Sequence, residues 1–189
     1  MGNFKNFLFE SEVNELNNEI DSFYLLLDEG LTDSLRSGIK FLGALSYPIL
    51  KDIYEPLVDK IVANGGLEKK ENIKAKLAEI KNRLLMLINK DLVFKDTYKR
   101  IFEPLVGKIS NKLKTDEEML EKFKDYMTKD SSIAQGHELD LRNYFASILS
   151  AKEKKALRDA TIRLQPVIGK NVQDQRLYDI LSRLPVKQK

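Results

Sequence analysis

Apolar residues recur at three- and four-residue spacing through most of this chain, the spacing of helices with one buried face. Val13, Leu16, Ile20, Phe23 and Leu27 form the first such stripe, between Ser11 as an N-cap and Gly30 as a stop. Thr32 caps a second segment with Leu35, Ile39 and Leu42 inward, and Gly38, Gly43 and Ala44 leave room there for a neighbouring helix. A third stripe, Ile49/Leu50, Ile53/Tyr54, Leu57/Val58 and Ile61, keeps its phase through Pro56. That predicts one kinked helix, ended by Asn64-Gly65-Gly66. A long amphipathic helix follows, with Ile73, Leu77, Ile80, Leu84 and Leu87/Ile88 inward and Lys69, Lys70, Lys74, Lys76 and Lys81 mostly outward.

The next stripe starts near Asp96-Thr97 and runs through Tyr98, Ile101/Phe102, Leu105, Ile109 and Leu113, again in phase across a proline, Pro104. Thr115 with Glu118 reads as a capping box for a helix burying Leu120, Phe123 and Tyr126/Met127. Asp130-Ser131-Ser132-Ile133-Ala134-Gln135-Gly136 reads as a linker. Leu139, Tyr144/Phe145, Ile148 and Leu149 then face inward. A second capping box, Ser150 with Glu153, opens a basic helix with Leu157 and Leu164 inward, stopped near Gln165-Pro166. Asn171 with Asp174 begins a last helix through Leu177, Ile180/Leu181 and Leu184.

Two of these stripes are copies. Lys51-Asp52-Ile53-Tyr54-Glu55-Pro56-Leu57-Val58-Asp59-Lys60-Ile61 recurs as Lys99-Arg100-Ile101-Phe102-Glu103-Pro104-Leu105-Val106-Gly107-Lys108-Ile109, 48 residues later with 8 of 11 positions identical. Periods of this size belong to stacked helical units. The expected fold is all-α: a multi-helix bundle or short α-solenoid of about nine helical segments, with an internal duplication of a kinked-helix hairpin. Residues 1–130 form a helical domain holding both copies (51–61 and 99–109), 131–137 a linker and 138–189 a basic C-terminal helical subdomain.

A proline inside a helix leaves the carbonyl four residues earlier without its donor, here Asp52 and Arg100. Curvature around one core is the favoured reason for the two kinks. Periodicity, however, constrains only the apolar positions, and Glu55/Glu103 and Lys60/Lys108 match as well. Asp52, Glu55, Pro56 and Lys60, with Arg100, Glu103, Pro104 and Lys108, are therefore the candidate protein-contact residues.

Charge adds polarity to this picture. The whole chain is only +3, yet residues 1–50 are net −5, 51–100 net +4, 101–150 net −2 and 151–189 net +6. An acidic head and a basic tail favour head-to-tail contact, within one molecule or between copies. Lys152, Lys154, Lys155 and Arg158 are the candidate nucleic-acid contacts, although aromatic interleaving is sparse and no zinc-finger, RRM or KH pattern appears. Ile39–Leu50 carries one Lys in an apolar run too short to span a bilayer, which makes Phe41, Leu42 and Leu45 candidate membrane-surface contacts.

Chemistry is constrained by what is missing. There is no Cys, so thiolate catalysis, disulfides and Cys-based metal sites are excluded, and His137 is the single histidine. His137 is expected in an exposed or capping role at a loop–helix boundary. Glu12, Glu15 and Glu19 share a helix face, where a solvated flank is the simplest role. No catalytic or metal residue is assigned, and no cofactor or small-molecule substrate is inferred. No leader peptide or transmembrane run is recognised, so a cytoplasmic or intracellular setting, virion included, is expected. The expectation is a non-enzymatic structural or adaptor protein that packs helix faces against itself or other subunits. A nucleic-acid-associated protein is the alternative, and a peripheral membrane-surface protein the further one.

Overall fold

Asp91 decides where the first fully described helix starts. Its backbone is extended, and its carboxylate accepts from the amides of Val93 at 2.7 Å and Phe94 at 3.2 Å. The helix α1, Leu92–Asp96, therefore begins about one turn before the start read at Asp96-Thr97. This computed structural model describes residues 85–167 and 172–186, together with Pro48, Ile49, Ala75, Ala78 and Asn82. Among the described residues there is no strand, and nearly all are helical.

From α1 the chain passes without a break into a π-helical turn, Thr97–Phe102, and then into α2, Glu103–Leu113. Glu103 N–H donates to the carbonyl of Tyr98, a five-residue step. At the second repeat copy, where a kink is expected at Pro104, the helix carries a widened turn ahead of the proline. The proline falls at the start of α2, where a missing amide costs least. The wide turn keeps the apolar stripe inward: Tyr98, Phe102, Leu105, Val106, Ile109 and Leu113 are all buried. Tyr98 and Phe102 stack with centroids 5.5 Å apart.

Four further helices complete the described fold. Helix α3, Glu117–Thr128, is capped by Asp116, which accepts from Met119 N–H at 3.1 Å. The cap expected of Thr115 moves one residue on, because the Thr115 hydroxyl donates back to Lys112 O at 2.8 Å and closes α2 instead. Helix α4, Ser131–Ile148, occupies the stretch read as a linker. Ser131 and Ser132 are its first turn, Gly136 lies within it, and Ala134, Leu141 and Phe145 form its buried face. Leu139, expected inward, is 60% exposed. Two residues from Leu141 is about 200° around an α-helix, so both cannot face the core. His137 likewise sits inside α4, half-buried, with Nε2 3.9 Å from Asp125 Oδ2 on α3, and not at a loop–helix boundary.

Helix α5, Ala151–Arg163, opens on the expected capping box: Ser150 Oγ accepts from Glu153 N–H at 3.3 Å, and Glu153 Oε2 accepts from Ser150 N–H at 2.9 Å. A 3₁₀ turn, Gln165–Val167, follows, and α6 spans Val172–Ser182. Helices α3 and α4 pack as one hairpin and α5 and α6 as another, with α5 lying against the π turn. The rings of Phe123 and Phe145 join α3 to α4 at 6.2 Å. Tyr126 Oη donates to Arg176 O at 2.9 Å while the Arg176 guanidinium donates to Tyr126 O at 2.6 Å, clasping α3 to α6. One apolar cluster runs from Ile49, Leu87 and Ile88 through the π turn to Leu177, Ile180, Leu181 and Leu184. Burial contributes about 1.5–3 kcal/mol for each large side chain in it.

Candidate contact site

The second repeat copy is an exposed polar ridge on a buried apolar base. Arg100, Pro104 and Lys108 follow one another at four-residue intervals and are all exposed, and Glu103 beside them is half-buried. Beneath them Phe102, Val106 and Ile109 are fully buried. The local cause is the repeat itself, whose apolar stripe turns the remaining positions outward. Arg100 Nε lies 3.4 Å from Asp96 Oδ1, an i, i+4 pair open to solvent.

Lys108 has a definite partner within the chain. Its Nζ binds Glu153 Oε1 on α5, 45 residues away. Glu153 is the same side chain that closes the Ser150 capping box through its other oxygen. Lys108 is the main reason its carboxyl is held down at about 2, with the Ser150 amide adding to the effect. The matched lysine of the repeat thus fastens α2 to the start of the basic helix, and packing accounts for it.

That contact brings the two sets of sequence-derived candidates side by side. On α5, Lys152 and Lys155 are exposed, whereas Lys154 and Arg158 are half-buried. Arg158 Nε is 3.8 Å from Asp159 Oδ1. Leu157, Ala160 and Thr161 form the opposite, buried side of α5, with the Thr161 hydroxyl donating to Leu157 O at 2.8 Å. Asp52, Glu55, Pro56, Lys60, Phe41, Leu42, Leu45, Glu12, Glu15 and Glu19 lie outside the described residues.

Other charged groups pair both along and between helices. Lys122 on α3 contacts Glu118 and Asp140, each at 3.0 Å, and these bonds raise its pKa. Arg142 pairs with Glu138 along α4. Tyr144 is pushed up to about 12, first by burial and then by Asp116. Among the described residues no group of three or more His, Asp or Glu could hold a metal ion. Also among them, no helix is long and apolar enough to cross a membrane.

A helical protein whose exposed repeat ridge abuts a basic helix is the class these features define. No family model matches the chain, and neither a curated protein nor a solved structure shows significant similarity to it.

Proposed function

We propose that this chain is a non-enzymatic helical subunit of a larger assembly, such as a virion or a multi-subunit complex. In this reading it is a multi-helix bundle or short α-solenoid of about nine helical segments, with the kinked-helix hairpin used twice. The carrying observation is that identity between the copies extends beyond the buried apolar stripe. Pro104 is exposed and Glu103 half-buried, yet both match their counterparts Pro56 and Glu55. Two equivalent ridges give two equivalent contact points, one per copy, for neighbouring subunits. Native mass measured across a concentration series, with identification of proteins co-purifying from the source cell, tests this. Oligomers, or a stoichiometric partner lost on Glu103→Lys, are the expected result. A strict monomer that retains no partner overturns it.

One observation favours a second reading, binding of nucleic acid. Lys152, Lys155 and Arg163 are exposed along α5 and have no ion-pair partner among the described residues. Phosphate contacts by such side chains make affinity fall steeply with salt. Replacing Lys152, Lys154, Lys155 and Arg158 by Glu then abolishes low-salt binding of single- or double-stranded probes; unchanged affinity removes this reading.

A further inference from the structure

Of the large apolar side chains left exposed among the described residues, three gather around one turn. Met86 is 64% exposed, Leu92 76% and Val93 60%. The turn lies between the helical residues 85–89 and α1, with Lys90 N–H donating to Leu87 O at 3.3 Å and Asp91 capping α1. Its inner side is anchored, since Leu87, Ile88 and Tyr98 belong to the core. Its outer side is therefore a firmly held apolar corner, and such patches mark contact surfaces.

The charges around the corner indicate what it meets. The only acids in residues 85–100 are Asp91 and Asp96. Asp91 is occupied by the Val93 and Phe94 amides, and Asp96 faces Arg100. Lys95 and Lys99 are exposed and have no ion-pair partner among the described residues. They sit one and two turns behind Leu92, about 4 and 10 Å along the helix axis. Exposed apolar side chains on both sides of the Asn89-Lys90-Asp91 turn, with cations beside them on the helix, match the profile of a bilayer surface. Apolar side chains enter the headgroup–acyl boundary while lysine stems reach back to the phosphates.

We propose that this corner binds the surface of an anionic lipid bilayer, with Met86, Leu92 and Val93 inserting and Lys95 and Lys99 contacting the phosphates. The site differs from the Phe41, Leu42 and Leu45 stretch, and it does not depend on the assembly reading, because a monomer can bind in this way.

Co-sedimentation of the full chain with phosphatidylcholine vesicles, with and without phosphatidylserine, tests it. Binding is expected to the anionic vesicles and to weaken with salt. Leu92→Ser with Val93→Ser should lower partitioning by about tenfold. Lys95→Glu with Lys99→Glu should do the same on anionic vesicles alone. All four side chains are exposed, so unchanged thermal melts will confirm that the variants fold. Free glycerophosphoserine should not compete, which separates a lipid surface from a pocket for the headgroup. The proposal is overturned by absent binding, by equal binding to neutral vesicles, or by binding indifferent to the Leu92 and Val93 changes. It is equally overturned if those changes leave vesicle binding intact and instead abolish a protein partner or shift the native mass.

Discussion

Glu153 is the residue on which most local order converges. Its carboxylate serves the Ser150 amide and the Lys108 ammonium at once, and its pKa falls from 4.5 to about 2. A depressed carboxyl pKa contributes stability above its unfolded value, and that contribution is lost as pH falls. The window here runs from about 4.5 down to about 2. Lys108→Met removes the largest cause, so the Glu153 carboxyl should titrate closer to 4.5, as read from its side-chain carbon shift by NMR. An unmoved titration would mean that the capping amide alone holds the charge. Gly107, where the two copies differ, makes the opposite case. It lies inside α2, and a Cβ added there meets nothing within 4 Å. Gly107→Ala should raise stability by roughly 0.5–1 kcal/mol in urea denaturation, because glycine loses more backbone entropy on helix formation. A loss of stability instead would point to a close neighbour at that position.

At the scale of elements, the π turn and the proline after it separate two roles that repeat identity runs together. Phe102 is fully buried within the stacked pair with Tyr98, whereas Pro104 is exposed at the start of α2. Phe102→Ala should cost about 3–5 kcal/mol through the cavity it leaves. Pro104→Ala should change stability by less than about 1 kcal/mol, because the widened turn ahead of it already departs from the four-residue bonding that the proline would interrupt. A gain near 3 kcal/mol for Pro104→Ala would show that the proline strains a helix interior after all. The same elements explain what could be read directly from the chain. The Ser150–Glu153 box was legible because both partners lie within one turn. The Thr115 cap was misassigned because Asp116, one residue on, competes for the same amides and wins. The helix over 131–137 was not legible because Ser131, Ser132 and Gly136 are turn formers, while the burial of Ala134, Leu141 and Phe145 that overrides them is tertiary. Lys108–Glu153 had no local signal at all, and the corner at Leu92 and Val93 was hidden by reading the helix start too late.

For the whole molecule, the buried phenol of Tyr126 and the half-buried one of Tyr144 set an alkaline limit. Burial lifts Tyr126 well above its ordinary value of 10.0, and Tyr144 reaches about 12. A raised pKa contributes stability that is complete below the unfolded value and disappears as pH climbs through the folded one. Unfolding free energy should therefore decline from about pH 10 upward. Tyr126→Phe should cost about 1 kcal/mol at neutral pH, through the bond to Arg176 O, and should flatten the alkaline decline. An alkaline slope identical to that of the parent would assign the effect to other groups. Within the described residues the all-α character came through from apolar spacing alone, since α2 to α6 each bury a stripe of their own. The mutual arrangement of α3 with α6 and of α5 with α2 did not, because neither a clasp between residues 126 and 176 nor a contact across 45 residues leaves any trace in periodicity.

The π turn also acts as a setting for rotation. Five-residue hydrogen bonding accommodates one residue more than an α-helix would hold over the same length. Each residue of an α-helix advances its face by about 100°. Wound as a plain α-helix, the same residues would swing Leu92 and Val93 by roughly that angle relative to α2, whereas loss of one residue between Thr97 and Phe102 would let ordinary winding return with both flanks still in phase. Which way the apolar corner points thus depends on the wide turn absorbing a single surplus residue, and a one-residue deletion there should leave that surface aimed as it is.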